Sequence, residues 1–304
     1  MSAASGKYDE GLAIVELNRA RARELFIEAD REVKLALSIK NSDEKAKKLA
    51  GDVEQKLRET EGLESIDFSQ VVDFGESINS LNFSGGSLAS VTRSKFRQVN
   101  PAGGNANDTD LSKEADLGFV FDGRVFFTSG QKVYRLDVGS GQSIEAGDAS
   151  GPLDIAVFAS NVYVLGRDSI FKFVPIEAGY LAPSQYLNSP ESFSQSSHFA
   201  VDGNIWVTSG NKILKFIRGE KESFEISGLT EGLGELSLIY TSPNLDNLYV
   251  VDGTNSALLV ISKEGILVKV LQSGEFFGAS DIAVDEAEQN VYVAAGSKIL
   301  KASL

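Results

Sequence analysis

The chain has 304 residues, 42% hydrophobic and 24% charged, an ordinary globular composition with ample material for a large core. Its net charge is −14, from 29 basic and 43 acidic residues, and a surface of that sign repels phosphate backbones and anionic lipid, which argues against a nucleic-acid partner. Cysteine is absent, so disulfides, thiolate catalysis and cysteine-based zinc sites are excluded, while the compartment stays undefined.

The opening stretch MSAASGKYDEG lacks the apolar run of a signal peptide and reads as a loose leader. From residue 7 to 61 proline is absent and the helix formers Ala, Leu, Glu, Lys and Arg predominate. Leu12, Val15, Ala22, Leu25, Phe26, Ala29, Val33, Ala36 and Ile39 recur at three- and four-residue steps and predict one amphipathic helix. The pattern breaks at IKNSDEKAKKL, where Ser42 suits an N-cap and Asp43 and Glu44 a first turn. A second helix then runs to about Glu61, with Ala46, Leu49, Ala50, Val53 and Leu57 on one face. Residues 1–61 are therefore expected to form an α-helical hairpin acting as a connector. A packing arm and a TPR-like or coiled-coil unit that drives oligomerisation both fit this pattern. No run of 18 apolar residues occurs, so direct membrane insertion is not expected.

After Glu61 the texture changes to alternating apolar and polar residues with Gly-rich turns, the pattern of strands. The segment SIDFSQVVD (65–73) precedes a degraded repeat, SLNFSGGSLASVTRSKFRQV (80–99), and the polar run 100–116 reads as a long surface loop. Five clear copies follow, beginning near 118, 154, 198, 237 and 281: apolar strand, turn, apolar strand, glycine turn, and a third strand carrying Lys or Arg. Their glycines are Gly130, Gly166, Gly210, Gly253 and Gly296, spaced by 36, 44, 43 and 43 residues. This period, with about four strands per unit, predicts mainly β structure: a six-bladed β-propeller over residues 62–304. The last copy ends at Leu304 without its outermost strand. Since an unpaired edge is a liability in a closed ring, 65–73 is expected to supply it.

Motifs such as DIAVDEAEQNVYVAAGSKILK resemble the six-bladed propellers of the NHL and TolB-like group, over about residues 65–304. The order of Ala-rich helices followed by such a propeller also looks like the C-terminal half of bacterial membrane proteins that begin with a PPM-type phosphatase module. Neither the Asp-rich metal motifs of that phosphatase nor its membrane span is present. The resemblance implies that this chain is the non-enzymatic, extramembrane half of such a protein, tethered only through a longer parent.

Innermost strands of a propeller line its channel, so residues opening them converge. Aligning the copies places Ser80, Gly118, Asp154, His198, Ser237 and Asp281 at equivalent positions. Asp154, His198 and Asp281 could bind a cation or serve acid–base chemistry, although polar residues there also hold neighbouring blades in register. His198 is the sole histidine, and no serine motif points to it as part of a triad. Lactonase-type propellers surround a metal with several carboxylates and amides, whereas here the ring offers two carboxylates and no Asn. Lyase-type propellers require catalytic His together with metal ligands. Asp122, Asp202 and Asp252 sit in Asp-Gly pairs suited to tight turns, and FSGGS (83–87) and VGSGQS (138–143) read as hairpin turns. Lys132/Arg135, Lys212/Lys215 and Lys298/Lys301 form a basic ladder on third strands, and Trp206 is expected to pack between sheets.

The expectation is thus a non-catalytic binding or scaffolding module without a cofactor. It would recognise a protein, peptide or glycan through its face, with Asp154, His198, Asp281, Ser80 and Ser237 around the channel mouth. A metal-dependent hydrolase or lyase at that mouth, and a helix-mediated oligomerisation unit, are the alternatives.

Overall fold

The computed structural model describes residues 2–40, 42–60, 63–103, 106–229 and 232–304. The chain divides into two compact units. One comprises Met1–Glu64 with 225–232 and 259–271; the other comprises Ser65–Phe224, Leu233–Leu258 and Gln272–Leu304.

In the first unit three helices stand where two were expected: α1 (Ser2–Ile14), α2 (Arg19–Ile39) and α3 (Glu44–Thr60). The expected leader is α1. Asn18 explains the extra break, because its side chain accepts the Arg21 N–H at 3.0 Å and so starts a new helix within an unbroken apolar periodicity. Gly11 lets α1 lie against α2, since a Cβ there would sit 2.5 Å from the Phe26 ring. Asp43, rather than Ser42, caps α3, accepting the N–H groups of Lys45 and Ala46. Arg23 donates to the carbonyls of Leu57 and Gly228, which fixes α2 antiparallel to α3. Ala22, Leu25, Phe26, Ala29 and Val33 are buried as the periodicity requires, whereas Ile39 is 82% exposed. Among the described residues no helix is long and apolar enough to cross a membrane.

Residues 63–304 build six blades of four strands each, with Leu63–Ser65 added as a fifth strand at the outer edge of blade five. Blade one is Ile78–Ser84, Ser87–Thr92, Lys95–Val99 and Asn107–Asp110, so the predicted loop contains the blade's outer strand. Blade two is Leu117–Phe121, Arg124–Ser129, Lys132–Asp137 and Gln142–Asp148. Blade three is Pro152–Phe158, Asn161–Gly166, Ile170–Phe173 and Ser184–Gln185, with a short hairpin inserted before the last strand. Blade four is Phe199–Val201, Ile205–Ser209, Lys212–Ile217 and Glu220–Glu222, and blade five is Leu236–Tyr240, Asn247–Asp252, Ala257–Ser262 and Leu267–Gln272. Blade six takes Asp281–Val284, Asn290–Ala295 and Lys298–Ser303 from the C-terminal end. Its outer strand is Ser69–Asp73, paired from Ser69↔Lys301 to Asp73↔Lys298. The missing strand is therefore supplied as the strand count demanded.

Between blades the core is apolar and close-packed: Leu81, Leu88 and Val99 meet Ala283, Tyr292 and Ile299, for example, across the seam of blades one and six. Trp206 is fully buried, edge-on to Phe224, with its indole N–H on Asp202. The basic ladder is partly a set of cross-strand stacks. Lys215 lies 4.7 Å from the Trp206 ring and Lys301 5.8 Å from Tyr292, each over its direct strand partner. Lys132, Lys212 and Lys298 remain exposed. Three of the aligned glycines, Gly130, Gly210 and Gly296, share a left-handed turn near φ +60°; Gly166 and Gly253 do not.

Candidate functional site

The channel mouth is built by the residues that open the innermost strands. Strand register identifies the equivalent positions through their partners on the second strands: Ser80 opposite Val91, Leu117 opposite Thr128, Asp154 opposite Leu165, Leu238 opposite Val251 and Asp281 opposite Ala294. His198 stands opposite Thr208: its N–H donates to the Thr208 hydroxyl at 2.9 Å and its carbonyl accepts the Thr208 N–H at 2.9 Å. Ser80, Asp154, His198 and Asp281 thus occupy the ring as expected, while Gly118 and Ser237 are each displaced by one residue. In blade two Asp122-Gly123 is a two-residue turn, whereas the corresponding turn of blade four has three residues, so aligning the apolar quartets before these turns slips the register by one. In blade five the register shifts between Leu236 and Leu238, leaving Ser237 as the extra residue of a bulge beside Gly253.

Gly118 has a packing reason. A Cβ there would lie 2.5–2.7 Å from three side-chain atoms of Val91 in the neighbouring blade. Gly118→Ala is expected to cost about 1–3 kcal/mol through overpacking, read as a lowered denaturation midpoint at unchanged m-value, and Val91→Ala in the same chain should restore part of it.

The polar ring residues join blades. Asp154 accepts the N–H of Ile155 at 2.8 Å and, through its other oxygen, the N–H of Phe199 in blade four at 3.0 Å. That second oxygen also lies 3.2 Å from His198 Nδ1. Asp281 repeats the arrangement, accepting Ile282 N–H at 2.8 Å and, from blade one, Leu81 N–H at 2.7 Å. Ser80 accepts the Gly118 N–H at 2.8 Å, and the Asn82 amide exchanges two hydrogen bonds with Val120. These bonds satisfy backbone donors that face the channel rather than a strand ladder.

Burial pushes Asp281 up to about 7, with the charge of Asp154 adding to the shift and the Leu81 N–H and His198 opposing it. On His198 burial acts downward, but the hydrogen bond and charge of Asp154 outweigh it and leave the imidazole above its ordinary value. Tyr240, absent from the sequence-based site, reaches from blade five across the channel, where its hydroxyl accepts the Phe83 N–H of blade one at 3.2 Å. Its burial raises its pKa. The cavity that Asp154, Asp281 and Tyr240 line measures about 40 Å³. That admits one or a few waters, whereas organic ligands occupy roughly 300–1,000 Å³. No group of three or more His, Asp or Glu among the described residues is arranged to hold a metal ion.

A larger opening lies beside the mouth. Glu76, Ser77, Asn79, Arg93, Ala115 and Asp116 line an open cleft of about 490 Å³ between blades one and two. Asn79 and Asp116 directly precede ring residues, which puts the cleft on the same face as the mouth. Asn79 donates to the Ala115 carbonyl, Arg93 pairs with Glu114 and Glu76 with Arg97. Only the charge of the loops at 74–77 and 111–116 hints at this cleft in the sequence.

Taken together, this is a six-bladed propeller whose central channel is narrow, bridged by Tyr240 and fastened by carboxylates. No family model matches the sequence, and no curated protein matches it. Among solved structures it is similar to a streptogramin B lyase, at 15% identity and TM-score 0.57, covering 79% of this chain and 98% of that one. It is likewise similar to a structural-genomics protein from Bacteroides thetaiotaomicron, at 12% identity and TM-score 0.52, covering 79% and 73%. At such identities the likeness is one of fold.

Proposed function

We propose that this chain is a non-catalytic binding or scaffolding module that recognises a protein, peptide or glycan through the loops of its channel-mouth face, as the sensor or adaptor part of a larger protein. The observation that carries the reading is the contrast between the two openings. The ring cavity of about 40 Å³ has no room for an organic substrate, and its carboxylates are engaged by backbone donors. The cleft of about 490 Å³ has room and lies open; its lining carries two carboxylates, one guanidinium, an amide and a hydroxyl, with Glu76 paired to Arg97, Arg93 to Glu114, Asp116 accepting the Gly130 N–H and Asn79 donating to the Ala115 carbonyl. Loops held by rigid blades suit such recognition. The likeness to a lyase extends to the fold, and the ring here holds one histidine, bonded to Asp154.

Peptide and glycan arrays probed with the full chain and with Arg93→Glu test this reading. Arg93 is 73% exposed in its side chain, so the variant should fold. Ligands held by the wild type and lost by the variant support the cleft; an array with no ligand of either kind counts against the module. Ca²⁺ and Mg²⁺ titrations of thermal stability address the catalytic class. The expected result is no shift. A rise of several degrees that disappears in Asp154→Ala, His198→Ala and Asp281→Ala would return the mouth to metal-dependent hydrolysis or elimination.

A further inference from the structure

The seams between blades three and four and between blades six and one lie on opposite sides of the six-membered ring. They divide it into two halves of three blades. Each is bridged at the ring position by a carboxylate that accepts an N–H from the next blade, Asp154 from Phe199 and Asp281 from Leu81. Both carboxylates line the same small cavity. No Lys or Arg of the described residues lines it, and the one nearby base is His198, bonded to Asp154. We propose that Asp154, His198 and Asp281 form a proton-operated lock on the two opposite seams. With protons on Asp281 and His198 both seams are held; with both protons lost, two like-charged carboxylates share the cavity and the seams loosen. The inference is independent of the binding role proposed above.

The surroundings set the direction. Blade one presents Ser80 and Asn82 to the ring, both uncharged, and blade two presents Gly118 and Phe119. Blade five presents Tyr240, which feels Asp281 and, more remotely, Glu286 and Asp285. Nothing on these elements neutralises Asp281, so burial beside Asp154 raises it to about 7, and Asp154 raises His198. Both groups bind a proton more tightly folded than unfolded, where a carboxyl titrates near ~3.9 and an imidazole near ~6.5. The stabilisation is therefore complete below about pH 4 for Asp281 and is lost as the pH rises through about 7, and His198 adds to the loss in the same direction. The protonated carboxyl still accepts the Leu81 N–H through its carbonyl oxygen.

Amide hydrogen exchange of the full chain from pH 5.5 to 8.5, corrected for intrinsic rates, reads the seams directly. Leu81 and Phe199 should lose at least about tenfold in protection across pH 7, the equivalent of one unit of proton linkage. Asp281→Asn fixes the neutral form and should abolish the loss at Leu81. His198, as the only histidine, gives isolated imidazole resonances. In the wild type they should titrate above the ordinary value with a second inflection from Asp281, which Asp281→Asn removes. If that variant fails to fold, the wild-type titration and exchange decide alone. Protection that is flat through pH 7, a single-step His198 titration at the ordinary value, or unchanged pH dependence in Asp281→Asn overturns the lock.

Discussion

A chain lacking residues 62–73 is expected to lose cooperative unfolding. The strand Ser69–Asp73 pairs with Lys298–Ser303 over four register positions, and the Phe74 N–H continues the contact to the Ser297 carbonyl at 2.9 Å. Val71, Val72 and Phe74 pack onto the cluster of Tyr292, Ala294 and Ile299. Phe68 stacks edge-on with the buried Phe276 at 5.4 Å. Four backbone pairs at about 1 kcal/mol each, with partial burial of Phe68, Val71 and Val72 at about 1 kcal/mol each, give roughly 7 kcal/mol. That is comparable to the roughly 5–15 kcal/mol that stabilises a whole domain. The lost strand would also leave Lys298–Ser303 as an open edge at the seam where the ring closes.

Two probes separate a weakened ring from an opened one. Trp206, the only tryptophan, reports on blade four, on the far side of the ring from that seam, while far-ultraviolet circular dichroism reports on all blades. In the wild type the two melting curves should coincide. In the deletion they should separate, with the dichroism falling first, and the midpoint should drop by more than about 10 °C. Coincident curves at the wild-type midpoint would show that Ser69–Asp73 does not close the ring.

That strand was legible in the sequence by counting. The copies showed three recognisable strands each, a propeller blade needs four, the last copy stopped short, and one apolar segment was left over. Repetition carries this information because each blade is the same solution to the same burial problem. Features without a repeat to lean on were harder to read. Asn107–Asp110 is an outer strand with wet surroundings, so its residues, all polar, show no alternation. The break between α1 and α2 hides because apolar spacing runs through it; Asn18 was the one signal, and a single capping residue is weak against an unbroken period. The channel ring was legible at four of its six positions. The other two slipped because turn length and a bulge move every downstream side chain by one, and neither leaves a mark in composition. Tyr240 could not be found by alignment at all, since its role depends on reaching past blade six to Phe83.

The second large effect is expected at Arg97, which lies on the third strand of blade one and is 7% exposed. Its guanidinium lies 4.5 Å from the Phe74 ring centroid, meets Glu76 at 2.6 Å and donates from Nε to Asp108 at 3.2 Å. Phe74 and Glu76 belong to the segment leaving the closing strand, and Asp108 belongs to the outer strand of blade one. One side chain therefore ties the strap to the blade it must lead into. Lysine cannot replace it, because a point charge cannot stack on a ring and fork to two carboxylates at once. Removing one partner of a fully buried pair costs about 3–5 kcal/mol. Here Glu76 and Asp108 keep roughly a third of their side-chain surface in water, and Nη1 of Arg97 is buried without a partner. Both facts reduce the net loss, so Arg97→Met is expected to cost about 2–3 kcal/mol, which in a chain of this size lowers the melting temperature by roughly 4–10 °C. Arg97→Lys should recover less than half of that. The strap assignment makes a sharper demand: in a double-mutant cycle, Arg97→Met and Phe74→Ala should couple by about 1 kcal/mol or more, whereas strict additivity would mean that the guanidinium anchors only the outer strand and leaves the closing segment untouched.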